Sequence, residues 1–424
     1  MPPRRSDMII RILFCAALIF CAALCYGVSV TDFGALPDGS ADASDAFNAA
    51  VLAAAEEGDN TRLVTVPAGK YLIDKPVQLT IGTVLKGDGR KNTTIIIKRH
   101  DFVPFTFGHA VRVEGMLFTY PNNQETVKPH KAEPTLLLTG INPEVVDVAF
   151  DGSWTCISTP EGVETNAGGG LFRDIGGWSH YRGIVISGAK DINKFENIHW
   201  FVGGSSVSGD AFYAKNRVCF DFGNVDGVMM DHCFVILAKT FFQQREHFTD
   251  GEGNKAVTGC LPHMISNCWC EHVKNGYVFQ GGSCGVVMDG CQVLINAGGR
   301  GIDISPQALH YNATVTNTQV RGVGGSIEGL YYNPGANHPW TRLSVNGLQV
   351  AEGDPCVKLG ANAYNFNMSD SHLLGKGGLW VEKGADKLII HDNIIDYWPG
   401  GYSIKNPNKP SGTVIFRDNI EHKL

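Results

Sequence analysis

The hexapeptides MDHCFV at 230–235, ISNCWC at 265–270 and MDGCQV at 288–293 are variants of one block. It runs on in both directions: FENIHW at 195 before them, then VTNTQV at 315, VNGLQV at 345, MSDSHL at 368, IHDNII at 390 and FRDNIE at 416. Nine copies at steps of 22–35 residues make this a repeat chain, and the block itself tells which kind. Its first position is always apolar. Its third is Asn197, His232, Asn267, Gly290, Asn317, Gly347, Asp370, Asp392 or Asp418, the residue types that accept a left-handed backbone. Each block therefore reads as strand, one-residue left-handed corner, strand. A chain that turns such a corner once per repeat coils, with strands stacked in parallel at ~4.8 Å per turn. The predicted fold is all-β: a right-handed single-stranded parallel β-helix, or solenoid, with a short N-terminal capping helix.

Two columns of side chains follow. Position four stacks Ile198, Cys233, Cys268, Cys291, Thr318, Leu348, Ser371, Asn393 and Asn419, read as small or weakly polar interior residues. Their spacing would also suit a disulfide, but packing is the better reading. Cys268, Cys270, Glu271 and His272 lack a second Cys/His cluster at metal spacing, so zinc is not expected. A second strand follows about ten residues after each block. Alternation places Phe220/Phe222, Ile302/Ile304, Val357/Leu359 and Leu379/Val381 inside. Asp221, Val278, Asp303, Tyr331, Lys358, Trp380 and Ser403 then form an outward column.

The N-terminus has the pattern of an export signal. Arg4, Arg5 and Arg11 lead into the apolar run Ile12 to Leu24 and the small-residue stretch ending at Gly27. The run is short for a membrane anchor, which needs ~20 apolar residues. Residues 1–27 are expected to be a signal peptide and 28–424 one β-helix domain, secreted to the extracellular space or the periplasm, with no membrane contact after processing. The chain holds 35 basic and 42 acidic residues. Removing the signal leaves 32 against 41, so a nucleic-acid partner is not expected. Twelve cysteines become nine, an odd number that leaves at least one thiol free.

The opening of the mature chain reads VTDFGALPDGSADASDAF from Val30 to Phe47, then an Ala-rich segment to Glu57, VTVPAGKYLI at 64–73 and LKGDG at 85–89. This resembles the start of the pectate-lyase superfamily, the group containing polygalacturonase- and rhamnogalacturonase-related β-helix proteins. The resemblance implies that the stretch begins the helix capping the open end of the coil, with Asp42 or Ser44 as N-cap. The polygalacturonase branch carries an Asn-Thr-Asp segment, an Asp-Asp pair, a Gly-His-Gly and an Arg-Ile-Lys, and none is present; Asn224-Val225-Asp226-Gly227 only mimics the first. The resemblance therefore implies a fold and a polysaccharide partner, and leaves the reaction open.

Two repeat steps of 35 exceed the bare coil, around Gly203–Arg217 and Lys239–Pro262, and long loops on a rigid scaffold are where function concentrates. They bring Asp210, Lys215, Arg217, Lys239, Arg245 and His247 forward as candidates. Loops at Tyr120–Pro134 and Ser153–Tyr181 would wall the same groove, with Trp154, Trp178 and Tyr181 available to stack on sugars. Hydrolysis would use paired carboxylates. Asp221 and Asp303 lie three coils apart by this count, ~14 Å, too far to be a pair unless each finds a loop acid such as Asp210 or Glu246. β-Elimination on a uronic-acid polymer would use a base and cations, for which Lys239, Arg245 and His247 qualify. Tyr331, Trp380 and Lys358, with Lys215 and Arg217, are the candidate substrate contacts. No cofactor is certain from the motifs, and calcium would bind if carboxylates converge on the groove. The sequence thus favours an exported polysaccharide lyase or hydrolase over a non-catalytic carbohydrate-binding or adhesive β-helix. An epimerase acting on polymer-bound uronic acid is a third reading. Glycosylation sequons stand at Asn92, Asn312 and Asn367; the oligomeric state is not encoded in any motif.

Overall fold

A computed structural model describes residues 27–56, 62–161, 166–205, 208–245, 247–249, 255–257, 262–281, 285–306, 311–335, 341–406 and 414–424. Residues 1–26 of the expected signal peptide, Glu246 and the side chain of His247 lie outside the described residues. The chain forms a right-handed parallel β-helix: one continuous sheet of 34 short strands, each hydrogen-bonded to its counterparts one coil up and one coil down.

All nine block-three residues adopt positive φ, between 47° at Asn317 and 68° at Gly347. The same corner continues upward through Asp174, Asp147 and Gly115, at φ 56°, 51° and 71°. Those corners lie in coils whose flanking blocks have diverged. Asn, Asp and Gly supply the left-handed turn at low cost, and their side chains also tie successive coils together. Asn267 Nδ2 and Ser266 Oγ donate to Asp231 Oδ1 at 3.1 and 2.7 Å. Asn317 Nδ2 and Thr316 Oγ repeat this on Asp289 at 3.0 and 2.6 Å.

The core is the inside of the coil. Phe220, Phe222, Ile302, Ile304, Val357, Leu359, Leu379 and Val381 are all fully buried there. Position four is inward as read, and Cys233, Cys268 and Cys291 are free thiols. Burial pushes the Cys291 thiol up to about 12, as expected for inert packing groups. Lower down the column becomes Ser371, Asn393 and Asn419. There Asn393 Nδ2 donates to His391 O at 2.8 Å and to Asn419 Oδ1 at 2.9 Å, so the buried amide is satisfied. The helix Ser44–Glu56 covers the upper end with Phe47, Ala50 and Val51. Asp42 Oδ1 accepts from Ser44 N, at the first residue of the helix, at 3.0 Å.

Two outward columns flank the left-handed corner. Before it, Met229 pairs down through Met264, Val287, Thr314, Ser344, Asn367 and Ile389 to Ile415. After it, Phe234 pairs through Trp269, Gln292, Gln319, Gln349, His372 and Ile394 to Ile420.

A third outward column carries the functional candidates. From Gln78 it descends through Thr106, Leu137, Ser158, Val185, Asp221, Gln243, Val278, Asp303, Tyr331, Lys358 and Trp380 to Lys405. The sequence reading is corrected here in three places. Ser403 is replaced by Lys405 as the partner of Trp380, because the strand Ile394–Lys405 runs two residues further before pairing. Gln243 enters between Asp221 and Val278. The segment 239–244 is the end of the strand Phe234–Gln244, with Thr240, Phe242 and Gln244 facing in, so the long loop starts only at Arg245.

Candidate functional site

The upper part of the third column floors a groove of about 520 Å³. Leu137, Ser158, Val185 and Asp221, on four successive coils, form the floor. Lys131 to Pro134, Trp154, Tyr181 and Arg182, which precede the floor residues on successive coils, stack along one side, and Glu161 and Arg245, which follow the floor strands, line the other. Trp154 and Tyr181 stack with centroids 5.1 Å apart and planes at 25°. An aromatic wall of this kind offers flat apolar area with a polar edge, the surface a pyranose ring packs on.

At the lower end of the groove Asp221 is gripped by two guanidiniums. Arg182 Nε stands 2.9 Å from Oδ2 and Arg245 Nε 3.0 Å from Oδ1. The aspartate is buried and each arginine only partly exposed. A buried carboxylate is tolerable only with such partners. Arg182 is further fixed by Tyr181, whose ring lies 3.8 Å from the guanidinium carbon and whose hydroxyl accepts from Nη2 at 3.1 Å. Two cations share one carboxylate, so this trio carries one net positive charge, which Lys131, Glu133 and Glu161 bring to balance over the whole lining.

Three coils below, Asp303 repeats the motif more weakly. Arg300 Nη1 donates to Asp303 Oδ2 at 2.6 Å and Arg300 Nε to Glu328 Oε2 at 2.7 Å, while Ser305 Oγ donates to Asp303 Oδ1. Burial works against the Arg300 charge, but Asp303 and Glu328 more than offset it and hold its pKa above the ordinary value. Next come alternating rings and cations. Arg300 lies over Tyr331 at 4.2 Å, Lys358 Nζ is 5.2 Å from the Trp380 ring centroid, and Lys405 Nζ is 4.2 Å from the same ring's centroid. Lys358 also bridges toward Glu328 and Glu382 at 3.8 and 3.3 Å.

The candidates therefore sort clearly. Asp221 and Arg245 meet, and Tyr331, Lys358 and Trp380 stack on successive coils of the same face as Asp303. The Asp221–Asp303 separation of three coils stands as read. Asp210 and Lys215, the latter on the short helix Phe212–Asn216, pair with each other at 3.0 Å on the surface and do not line the groove. Lys239 is exposed on the strand that continues from the corner column and does not line it either. Arg217 is a correction. It is fully buried and donates to the carbonyls of Phe201, Ile236 and Leu237 at 2.8–3.0 Å, pinning the 201–217 loop to the coil. It cannot touch a substrate. Trp178 is likewise buried, its Nε1 bound to Asp151.

Sequence reasoning missed Arg182, Arg300 and Lys405. A signal for the first two was present: Arg-Gly-Ile-x-Ile-Ser occurs at 182–187 and again at 300–305, with the arginine at the same point of the coil. Among the described residues no group of three His, Cys, Asp or Glu side chains is arranged to hold a metal ion. No helix among them is long and apolar enough to cross a membrane.

Residues 27–125 match the family described as rhamnogalacturonase A/epimerase, pectate lyase-like. The chain is similar to that family through its opening coils. No curated protein matches it. Among solved structures it is similar to the N-terminal fragment of bacteriophage Phi29 gene product 12, at 14% identity and TM-score 0.68, over 97% of this chain and 73% of that one. It is also similar to the catalytic unit of a GH87 α-1,3-glucanase from Streptomyces thermodiastaticus, at 11% identity and TM-score 0.51, over 92% and 69%. The Dettilon tailspike protein gives 11% identity and TM-score 0.51, over 84% and 68%. At these identities the likeness is one of fold, and the pectate-lyase-like coil read from the opening segment is borne out.

Proposed function

We propose that this is an exported, polysaccharide-acting β-helix whose polymer lies along the coil axis on the third column and is cleaved at Asp221. The observation that carries this is the buried Asp221 carboxylate held between Arg182 and Arg245 on the floor of an aromatic-walled groove.

Between the two cleavage chemistries, the paired guanidiniums favour β-elimination of a uronic-acid polymer. Asp221 and Asp303 are too far apart to serve as a hydrolase pair. Two guanidiniums suit a sugar carboxylate, whose neutralisation lowers the cost of removing the proton at C5. In this reading Arg182 and Arg245 bind that carboxylate, and Asp221 accepts the C5 proton. The electron pair then forms the C4–C5 double bond and the C4 oxygen leaves. The cation–aromatic series of Tyr331, Lys358, Trp380 and Lys405 extends the binding surface for the polymer below the reacting centre.

That same series supports a second reading, a non-catalytic carbohydrate-binding β-helix, because it needs no reacting group. Incubation with acidic and neutral polysaccharides separates the two. β-Elimination raises absorbance near 235 nm together with reducing ends, whereas a binding protein retains polymer and yields neither.

A further inference from the structure

The two columns that flank the left-handed corner lie apart from the groove column, and their composition is unusual for a solvent face. From Met229 to Ile415 and from Phe234 to Ile420 neither contains an Asp, Glu, Lys or Arg. Eight of the sixteen large hydrophobic side chains exposed among the described residues stand in them, including Met264 at 51% and Trp269 at 42%. Absence of charge with methionine and aromatic residues is the composition of a protein–protein interface core.

The order of residues identifies the occupant. At each height the two columns match in character: Met264 beside Trp269, Thr314 beside Gln319, Ile389 beside Ile394. Both run apolar, then polar, then apolar down the axis, with Val287 beside Gln292 as the one mismatch. A partner laid on either column must therefore be a straight rod with the same rise of ~4.8 Å per coil and the same sequence of surfaces. This chain is such a rod.

We infer that the protein self-associates through this corner, with parallel copies at equal height and the Met229–Ile415 column of one seated on the Phe234–Ile420 column of the next. Because the two surfaces differ, the contact is heterologous, and copies at equal height close into a ring about an axis parallel to the coil. The ridge between the columns remains compatible. Its carboxylates at Asp231, Asp289 and Asp370 already accept hydrogen bonds from Ser266, Thr316 and Asn346 of adjoining coils, Asp392 pairs with His391, and Asp418 at the last corner adds a further exposed charge. This inference is independent of the polysaccharide reading.

Sedimentation velocity on the full secreted chain tests it. The expected result is a species of integral multiple mass at micromolar concentration, weakened roughly tenfold or more by Trp269→Glu and by Gln319→Lys. Both positions are exposed, so circular dichroism of each variant should match the parent. Gln319→Lys, in the polar middle of the column, keeps the test open should Trp269→Glu fold poorly. A monomer at roughly 100 µM overturns the inference, whatever the chain binds. So does an oligomer indifferent to both variants, and so does a monomer that loses glycan binding with Trp269→Glu, which would make the face a sugar platform.

Discussion

Arg182 Nε lies 2.9 Å from Asp221 Oδ2, across neighbouring coils and beneath the Trp154–Tyr181 stack. With Arg245 on the other oxygen, the aspartate is both a structural anchor and, among the described residues, the one carboxylate on the groove floor, with Glu133 and Glu161 on its walls. Asp221→Asn should therefore abolish cleavage and also cost about 2–3 kcal/mol, since it strands two partly buried guanidiniums. Asp303→Asn should cost about 1 kcal/mol and leave cleavage largely intact, because Arg300 keeps Glu328. Urea denaturation beside initial rates checks both.

The Trp380 ring, flanked by Lys358 and Lys405, should contribute to polymer affinity and not to turnover. Trp380→Ala is expected to weaken binding of a long oligosaccharide about 5–30-fold, or 1–2 kcal/mol. Lys405→Gln should weaken binding of an acidic polymer at low salt and have little effect at high salt. Calorimetric titration at two ionic strengths reads both.

His263 sits inside the coil against Phe222, Phe242 and Phe279, with no partner for either ring nitrogen among the described residues. Burial lowers its pKa to about 4. A folded pKa below the unfolded value of about 6.5 means that protonation favours unfolding. Stability should be full above about pH 6.5 and fall by up to about 3 kcal/mol toward pH 4. His180, also lowered to about 4 by burial, acts in the same window. His263→Leu should flatten that slope in denaturation curves measured from pH 7 to 4.

Gly347 turns its corner at φ 68°, where an added Cβ would meet Asn317 Oδ1 at 3.0 Å. Gly347→Val should cost about 2 kcal/mol and Gly347→Asn, the residue other corners use, less than half of that. Thermal melts of the two variants decide it.

The fold was legible because the corner imposes its own alphabet. Asn197, His232, Gly290 and Asp392 have little in common except tolerance of positive φ, and all nine such positions turn as read. The outward column was legible through alternation down to Trp380 and slipped at Ser403, where no local pattern marks how far a strand runs before it pairs. The site was half legible. Asp221 and Arg245 lie 24 residues apart in sequence and one coil apart in space, so the repeat step could bring them together. Arg217 could not be told from a binding arginine, because its partners are backbone carbonyls, which carry no sequence signature. Arg182 required seeing that Arg-Gly-Ile recurs four coils below, a period longer than the repeat itself.

The most direct measurement is absorbance near 235 nm with reducing ends, following the purified chain and its Asp221→Asn variant on a set of acidic and neutral polysaccharides. The account expects both signals to rise together on an acidic polymer with the parent and neither with the variant. Reducing ends without absorbance, or the same rate from Asp221→Asn, would contradict it.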